Sequence, residues 1–190
     1  MAIIDVPWIK LPESKFKQLE NGTKGIVFKL SPEYVGKILY TKDNNGYRLR
    51  DDEASSSELT HESGINFLLY KAGIGNVPKP IGVERLGIFG SAYYAFIMEY
   101  IKLKRADKLD HVTFSRAREL GVKELAKALD LDLYPGADAL NPFNFFYDEE
   151  ERKVRLIDFG NWEIGQSYKE NNKSISDTGS VIVPRIELNK

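Results

Sequence analysis

The stretch Val154-Arg155-Leu156-Ile157-Asp158-Phe159-Gly160 sets the chemical question. An apolar, β-branched run that reads as a buried strand ends in a carboxylate followed by an aromatic residue and a glycine. A carboxylate at that place either holds something or caps a turn. Asn144 lies just before the preceding strand pattern, so one hairpin separates a carboxamide from the Asp158 carboxylate. Lys37, in Tyr34-Val35-Gly36-Lys37-Ile38-Leu39, occupies another strand pattern with apolar neighbours. Glu62 shares a helical stripe with Ile65 and Leu69, where a charge calls for a counter-ion, and Glu58, one turn earlier, is the alternative. Cysteine is absent and the two histidines are His61 and His111, which excludes disulfides, thiolate chemistry and multi-histidine metal sites.

These residues need elements to position them. Gly22 to Leu30 and Tyr34 to Tyr40 read as two strands around Ser31-Pro32-Glu33, a hairpin. The polar run Thr41 to Ser57 reads as a loop or mobile linker. A helix follows to Gly73, with Ser55 and Glu58 at capping-box spacing. Pro78 and Pro80 mark the entry to a further strand, and Ser91 to Ile101 forms another. The segment Phe114 to Leu129 has a second helical period, broken at Pro135-Gly136. Asn141 to Gly160 is a hairpin with a charged turn, and the tail from Gly165 is polar.

Composition sets the outer bounds. The chain has 190 residues, 42% hydrophobic and 12% aromatic, sufficient for a core in one domain or two small lobes. Its formal charge of -1 and pI near 6.2 indicate no nucleic-acid or anionic-membrane partner. The N-terminus lacks a basic segment followed by an apolar one. The longest apolar run, Ala92 to Ile101, is too short to span a bilayer and contains Glu99. The expectation is a soluble, cytoplasmic protein without a membrane partner.

In order, the chain presents a glycine turn between strands, a strand lysine, a helix glutamate, an acidic-apolar strand end, an asparagine loop and Asp158-Phe159-Gly160. This order resembles the protein-kinase-like superfamily, particularly its minimal RIO-like atypical serine/threonine kinases, from about Glu20 to Gly160. The resemblance implies an α+β, two-lobed kinase-like fold, with a β-rich N-lobe over 1–101 and a truncated helical C-lobe over 102–190. It implies ATP as phosphoryl donor, with Gly22 and Gly25 closing a hairpin over the phosphates and Val27 on the base. Glu99 and Ile101 would offer main-chain groups to adenine. Lys37, held by Glu62, would contact the α- and β-phosphates. Asn144 and Asp158 would hold divalent metal, and hard oxygen ligands of this kind suit Mg2+ or Mn2+. Taken singly, each motif has a plainer reading: hairpin glycines, an edge-strand lysine, a solvated helix face, a capping aspartate.

Two departures from the family pattern qualify the implied activity. Counting back from Asn144 without a gap, the family's catalytic aspartate falls on Ala139, and Asp138 is one residue early. Asp138 becomes the candidate for orienting the acceptor hydroxyl if the loop is longer by one residue. The sequence after Gly160 is short and lacks Ala-Pro-Glu, which implies a partner protein or a homodimer completing the second lobe. The implied function is transfer of the γ-phosphoryl group to serine or threonine of a protein, the chain itself included. Ser174, Ser176, Thr178 and Ser180 of the tail are candidate acceptors, although such a stretch more commonly reads as a solvated segment. The rival readings are a pseudokinase, acting as a nucleotide-binding regulatory module, and a small-molecule phosphotransferase.

Overall fold

Strand-forming residues and turn residues alternate at short intervals through the first hundred positions, and strands result. In the computed structural model the described residues are 18–21, 25–43, 46–88 and 91–166. The first strands are β1 (Gln18–Asn21), β2 (Gly25–Lys29), β3 (Tyr34–Asp43) and β4 (Gly46–Leu49). Helix α1 (Glu53–Ala72) comes next, followed by β5 (Pro80–Ile88) and β6 (Ser91–Glu99). The remainder is β7 (Lys104–Arg105), a 3-10 turn (Ala106–Lys108), α2 (His111–Asp130), β8 (Leu133–Tyr134), β9 (Phe145–Asp148), β10 (Lys153–Leu156) and β11 (Glu163–Ile164). The architecture is mixed α+β, sheet-rich at the N-terminal end with a helical part. Among the described residues, no helix is long and apolar enough to cross a membrane. The chain divides into two compact units, Met1–Leu59 with Ile81–Tyr100, and Thr60–Pro80 with Ile101–Lys190. The stretch Thr60–Pro80, which carries most of α1, thus groups with the later part of the chain.

The first unit is built on a six-stranded sheet in the order β1-β2-β3-β6-β5, with β4 pairing β3. Adjacent residues of β3 face opposite sides of the pleat. Ile38 clusters with Phe28, Leu86 and Ala95, while Val35 and Leu39 cluster with Leu59, Phe96 and Met98. The expected loop over Thr41–Ser57 is corrected here. Tyr40 to Asp43 continue the ladder against Gly46 to Leu49, and Leu49 packs on the Ile38 cluster. Polar side chains on 41–43 did not prevent a strand, because ladder hydrogen bonds are made by the main chain and one apolar anchor at Leu49 fixes the register.

Helix α1 begins at Glu53, before the expected Ser55 cap. Asp52 does the capping: its carboxylate accepts from the Ser55 N–H at 2.6 Å, and the Ser55 hydroxyl donates to the Asp52 carbonyl at 2.6 Å. The Ser55–Glu58 capping box is therefore not formed, and Glu58 instead pairs with Arg50 at 2.8 Å. The helix closes at Gly73, φ +67°, where the Ile74 N–H donates to the Leu69 carbonyl. Helix α2 begins at His111 rather than Phe114, because the Asp110 carboxylate accepts from the N–H groups of Val112 and Thr113, both at 3.0 Å.

The core of the second unit gathers Ile65, Leu68 and Leu69 with Phe145, Val154, Leu156, Phe159 and Trp162. Gly75, φ +64°, sits so near β10 that a Cβ there would lie 2.7 Å from the Leu156 side chain. The Gly75 N–H donates to Glu124 at 2.7 Å and its carbonyl accepts from Leu156 at 3.0 Å, tying the end of α1 to α2 and to β10.

Candidate functional site

The β9–β10 hairpin delivers two of the candidate residues to one place. Its register pairs Phe145 with Leu156, and the Ile157 N–H extends the ladder to the Asn144 carbonyl at 2.9 Å. Asn144 and Asp158 therefore flank the same open end of the hairpin. Asn144 is buried at 8% exposure, and its side-chain NH2 donates to the Asp138 carbonyl at 3.0 Å. That bond uses the nitrogen of the carboxamide, so its oxygen is the atom that could ligate. Asp158 is exposed and has φ +63°, a left-handed conformation that costs a non-glycine residue about 1 kcal/mol. What holds it there is the next residue: Phe159 is 1% exposed and packs edge-on against Trp162, ring centroids 5.5 Å apart. The Trp162 backbone N–H in turn donates to the Phe159 carbonyl, and the Trp162 carbonyl meets a ring nitrogen of His61 at 2.8 Å. Two buried aromatics thus pin the four-residue turn Phe159–Trp162, with Asp158 just before it and Asn161 within it exposed.

The stretch before Asn144 shows how the shifted aspartate is placed. Ala139 is 4% exposed and belongs to the apolar core, whereas Asp138 is part-exposed. The turn is fixed by the Ala139 N–H donating to Gly136 at 3.0 Å and the Asn141 N–H donating to Asp138 at 2.8 Å. The Asp138 carboxylate accepts from the Asn161 amide at 3.1 Å. Asp138, Asn144, Asn161 and the turn bearing Asp158 are thereby one hydrogen-bonded group within the second unit.

Glu62 lies beside this group. It is buried at 3% exposure, and a Cβ on Gly160 would lie 3.6 Å from its Oε2 and 4.0 Å from Asp158 Oδ1. Glu58, its alternative, is exposed in its pair with Arg50, whose guanidinium donates to the carboxylates of Asp52 first and Glu58 second, and these raise the Arg50 pKa. The preferred glutamate of the stripe, Glu62, is thus inside and its alternative, Glu58, outside.

In the first unit, Val27, Lys37 and Phe96 form one cross-strand row, and Lys37 shares its face with Val35 and Leu39. A Cβ on Gly25 would lie 3.1 Å from the Lys37 Cε, so glycine there leaves the lysine stem its room. Glu99 ends β6 opposite Tyr34, and the neighbouring Tyr100 N–H donates to the Glu33 carbonyl at 2.7 Å. Ile101 opens the second unit with its side chain buried. Gly22 and the tail residues Ser174, Ser176, Thr178 and Ser180 lie outside the described residues.

A brace that sequence reasoning missed supports the Asn144 loop. Arg105 binds Asp107 through two nitrogens at 2.5 and 3.0 Å, and its guanidinium lies 4.9 Å from the centre of the Phe143 ring. The Asp107 N–H donates to the Pro142 carbonyl at 3.1 Å. The Arg105 hydrogen bond first, and Lys108 beside it, hold the Asp107 pKa down at about 2. Asn161 and Gly136 were likewise missed. Their only signal was a polar residue directly after Asp158-Phe159-Gly160 and a glycine read simply as a helix breaker.

The oxygens of Asp158 and Asn144 are of the chemical type that suits a hard divalent cation. Among the described residues no three His, Asp or Glu side chains form a metal cage. A cation here would take the Asp158 carboxylate and the Asn144 carboxamide oxygen and complete its shell from water and phosphate, the coordination habit of magnesium.

No family model matches this chain, and no curated protein matches it. Among solved structures, it is similar to the bifunctional kinase-methyltransferase WbdD, with 18% sequence identity and a TM-score of 0.46. The match covers 78% of this chain and 32% of that one, so the chain spans about a third of that structure's length.

Proposed function

We propose that this protein binds ATP with a divalent cation and transfers the γ-phosphoryl group to a hydroxyl acceptor. The acceptor class we assign is a serine or threonine of a protein, with the chain itself among the candidates, as the resemblance to minimal RIO-like kinases implies. The observation that carries the reading is the convergence of Asn144, Asp158 and Asp138 at one open hairpin end. In this scheme Asp158 and Asn144 hold the cation, which when bound neutralises charge on the phosphates. Asp138 accepts the proton of the acceptor hydroxyl as its oxygen bonds to the γ-phosphorus and the bond to the ADP oxygen breaks. Lys37 contributes its ammonium to the phosphates, and buried Glu62 supplies a fixed negative charge. Gly25, with Gly22, keeps the hairpin backbone able to approach phosphate; Val27 offers an apolar surface to the base, and Glu99 and Ile101 offer main-chain groups.

The placement of the Ala139 methyl in the core, with Asp138 outside it, supports transfer over the nucleotide-binding pseudokinase reading. The test is incubation of the full chain with magnesium and γ-labelled ATP beside Asp158→Asn, following label on protein and ADP release. Label and ADP from the wild type alone are expected. Magnesium-dependent ATP binding without either product would move the assignment to the regulatory module. No binding of ATP in any form would end the proposal.

A further inference from the structure

We infer that Asn161 is a positioning residue for the acceptor-side carboxylate, fixing Asp138 so that one of its oxygens is aimed and the other is held. The inference rests on the phosphoryl-transfer reading and adds to it a residue outside the motif positions that suggested it. The Asn161 amide donates to Asp138 Oδ2 at 3.1 Å. A second, separate feature concerns the other oxygen. A Cβ on Gly136 would lie 2.9 Å from Asp138 Oδ1, and 2.9 Å from both the Cβ and the carbonyl oxygen of Asn161. Contacts that short do not occur, so position 136 must lack a side chain for the 136–138 turn to lie against the 160–162 turn. The same absence leaves Oδ1 uncrowded.

An aspartate on an exposed turn ordinarily samples several rotamers, and a group that must meet a hydroxyl within hydrogen-bond reach loses rate with each unproductive one. Here Oδ2 is occupied by a neutral donor, which leaves Oδ1 to accept the hydroxyl proton as the oxygen–phosphorus bond forms and the bond to ADP breaks. Asn161 is itself held rigid, because Phe159 and Trp162 anchor the turn on either side of Gly160-Asn161. The side chain at 161 thus couples the loop bearing Asp138 to the turn bearing Asp158. Both must be in place for transfer, and the displaced aspartate is brought into position by a partner.

The experiment measures ADP release from magnesium-ATP by the full chain as wild type, Asn161→Ala, Asn161→Asp, Asp138→Ala and the double variant Asp138→Ala/Asn161→Ala. Melting temperature and the KM for ATP are measured on each. Asn161→Ala is expected to lower kcat about 10-fold, with KM within about 2-fold, since the amide acts on the acceptor side. Asn161→Asp, which is nearly isosteric but places a like charge beside Asp138, is expected to fall at least as far. The decisive comparison is in the Asp138→Ala background under single-turnover conditions, where removing the Asn161 amide should change nothing further. A loss of the same factor there would overturn the inference, because it would mean that Asn161 acts on the fold or elsewhere. Unchanged kcat in Asn161→Ala, or a loss confined to KM, would overturn it as well while leaving phosphoryl transfer standing. A wild type that releases no ADP would overturn the transfer reading and this inference together.

Discussion

Lys37 and Asp158 are held by different means. Lys37 sits mid-strand, its position fixed by main-chain ladders to β2 on one side and β6 on the other, with Val27 and Phe96 as row neighbours. Asp158 lies beyond the end of its strand in a left-handed conformation, fixed by what its neighbours bury and by side chains bonding across loops. A ladder tolerates most side chains at the position it presents. The turn depends on specific ones, so the lysine region should be robust to substitution around it and the aspartate region fragile.

The largest expected effect breaks the chemistry and spares the fold. Asp158→Asn keeps the shape and tolerates positive φ but removes the charge. ADP release should fall by about 10^2 to 10^3, with the melting temperature essentially unmoved, since the group is exposed. A comparable loss from Lys37→Met, again without unfolding, would place both regions in one reaction. Gly136→Ala should do the opposite in kind, because the new methyl meets the backbone carbonyl of Asn161, an atom that cannot swing aside. It should cost about 1–3 kcal/mol and lower activity together with melting temperature. Gly25→Ala meets the flexible Lys37 stem at 3.1 Å and the Ile38 carbonyl oxygen at 3.2 Å, looser contacts than those at Gly136, and should cost less, about 1 kcal/mol. Equal damage from the two alanines would dissolve the contrast between ladder and loop.

What was legible in the sequence follows the same division. Alternation in β2, β3 and β6 and the pairing of Phe145–Tyr147 with Val154–Leu156 announced the strands, because side-chain burial there repeats with a short period. The hairpin at Thr41–Leu49 escaped because polar residues on a sheet edge look like a loop until their ladder partner is known. Asp158 stood out because it ends an apolar run, and Asn144 because it lies just before the preceding strand pattern. Asp138 could be named only with an alternative, and Asn161, Gly136 and the Arg105–Asp107 brace were invisible as a group. Their meaning lies in contacts between segments distant in sequence, such as Asn161 with Asp138 and Asp107 with Pro142. Glu62 was preferred to Glu58 from its place on the apolar stripe, whereas the difference in burial between the two, which no helical wheel supplies for residues on one stripe, is visible only in the fold.

The brace gives the loop region a pH signature. Because the Asp107 pKa is depressed to about 2 by Arg105 and Lys108, its stabilisation is complete above its ordinary value near 4 and is lost as pH falls through 2. Above pH 5, Asp107→Asn should therefore lower stability, by about 1 kcal/mol after solvent screening. The difference from wild type should shrink as the medium is acidified below pH 4. A gap that stays constant with pH would show that the side chain acts through packing and not through its charge. The Arg105 pairing is the larger of the two influences, so Lys108→Met should reproduce only a minor part of the effect.

The smallest expected effect sharpens the comparison within α1. Glu58→Gln removes an exposed partner of Arg50, and Arg50 keeps its contacts with Asp52 at 3.1 and 3.2 Å. Exposed pairs of this kind contribute about 0–1 kcal/mol, so stability should drop only marginally and ADP release should be unchanged. Glu62→Gln changes a carboxylate that is 3% exposed and lies beside the Asp158 turn, and activity should fall more steeply than stability. If Glu58→Gln were the variant that cost activity, the helix glutamate of the phosphate site would be the exposed one and the burial argument would be wrong. If neither did, Glu62 would be a charge buried for structure alone, and the reaction would depend only on the loop residues around Asp158.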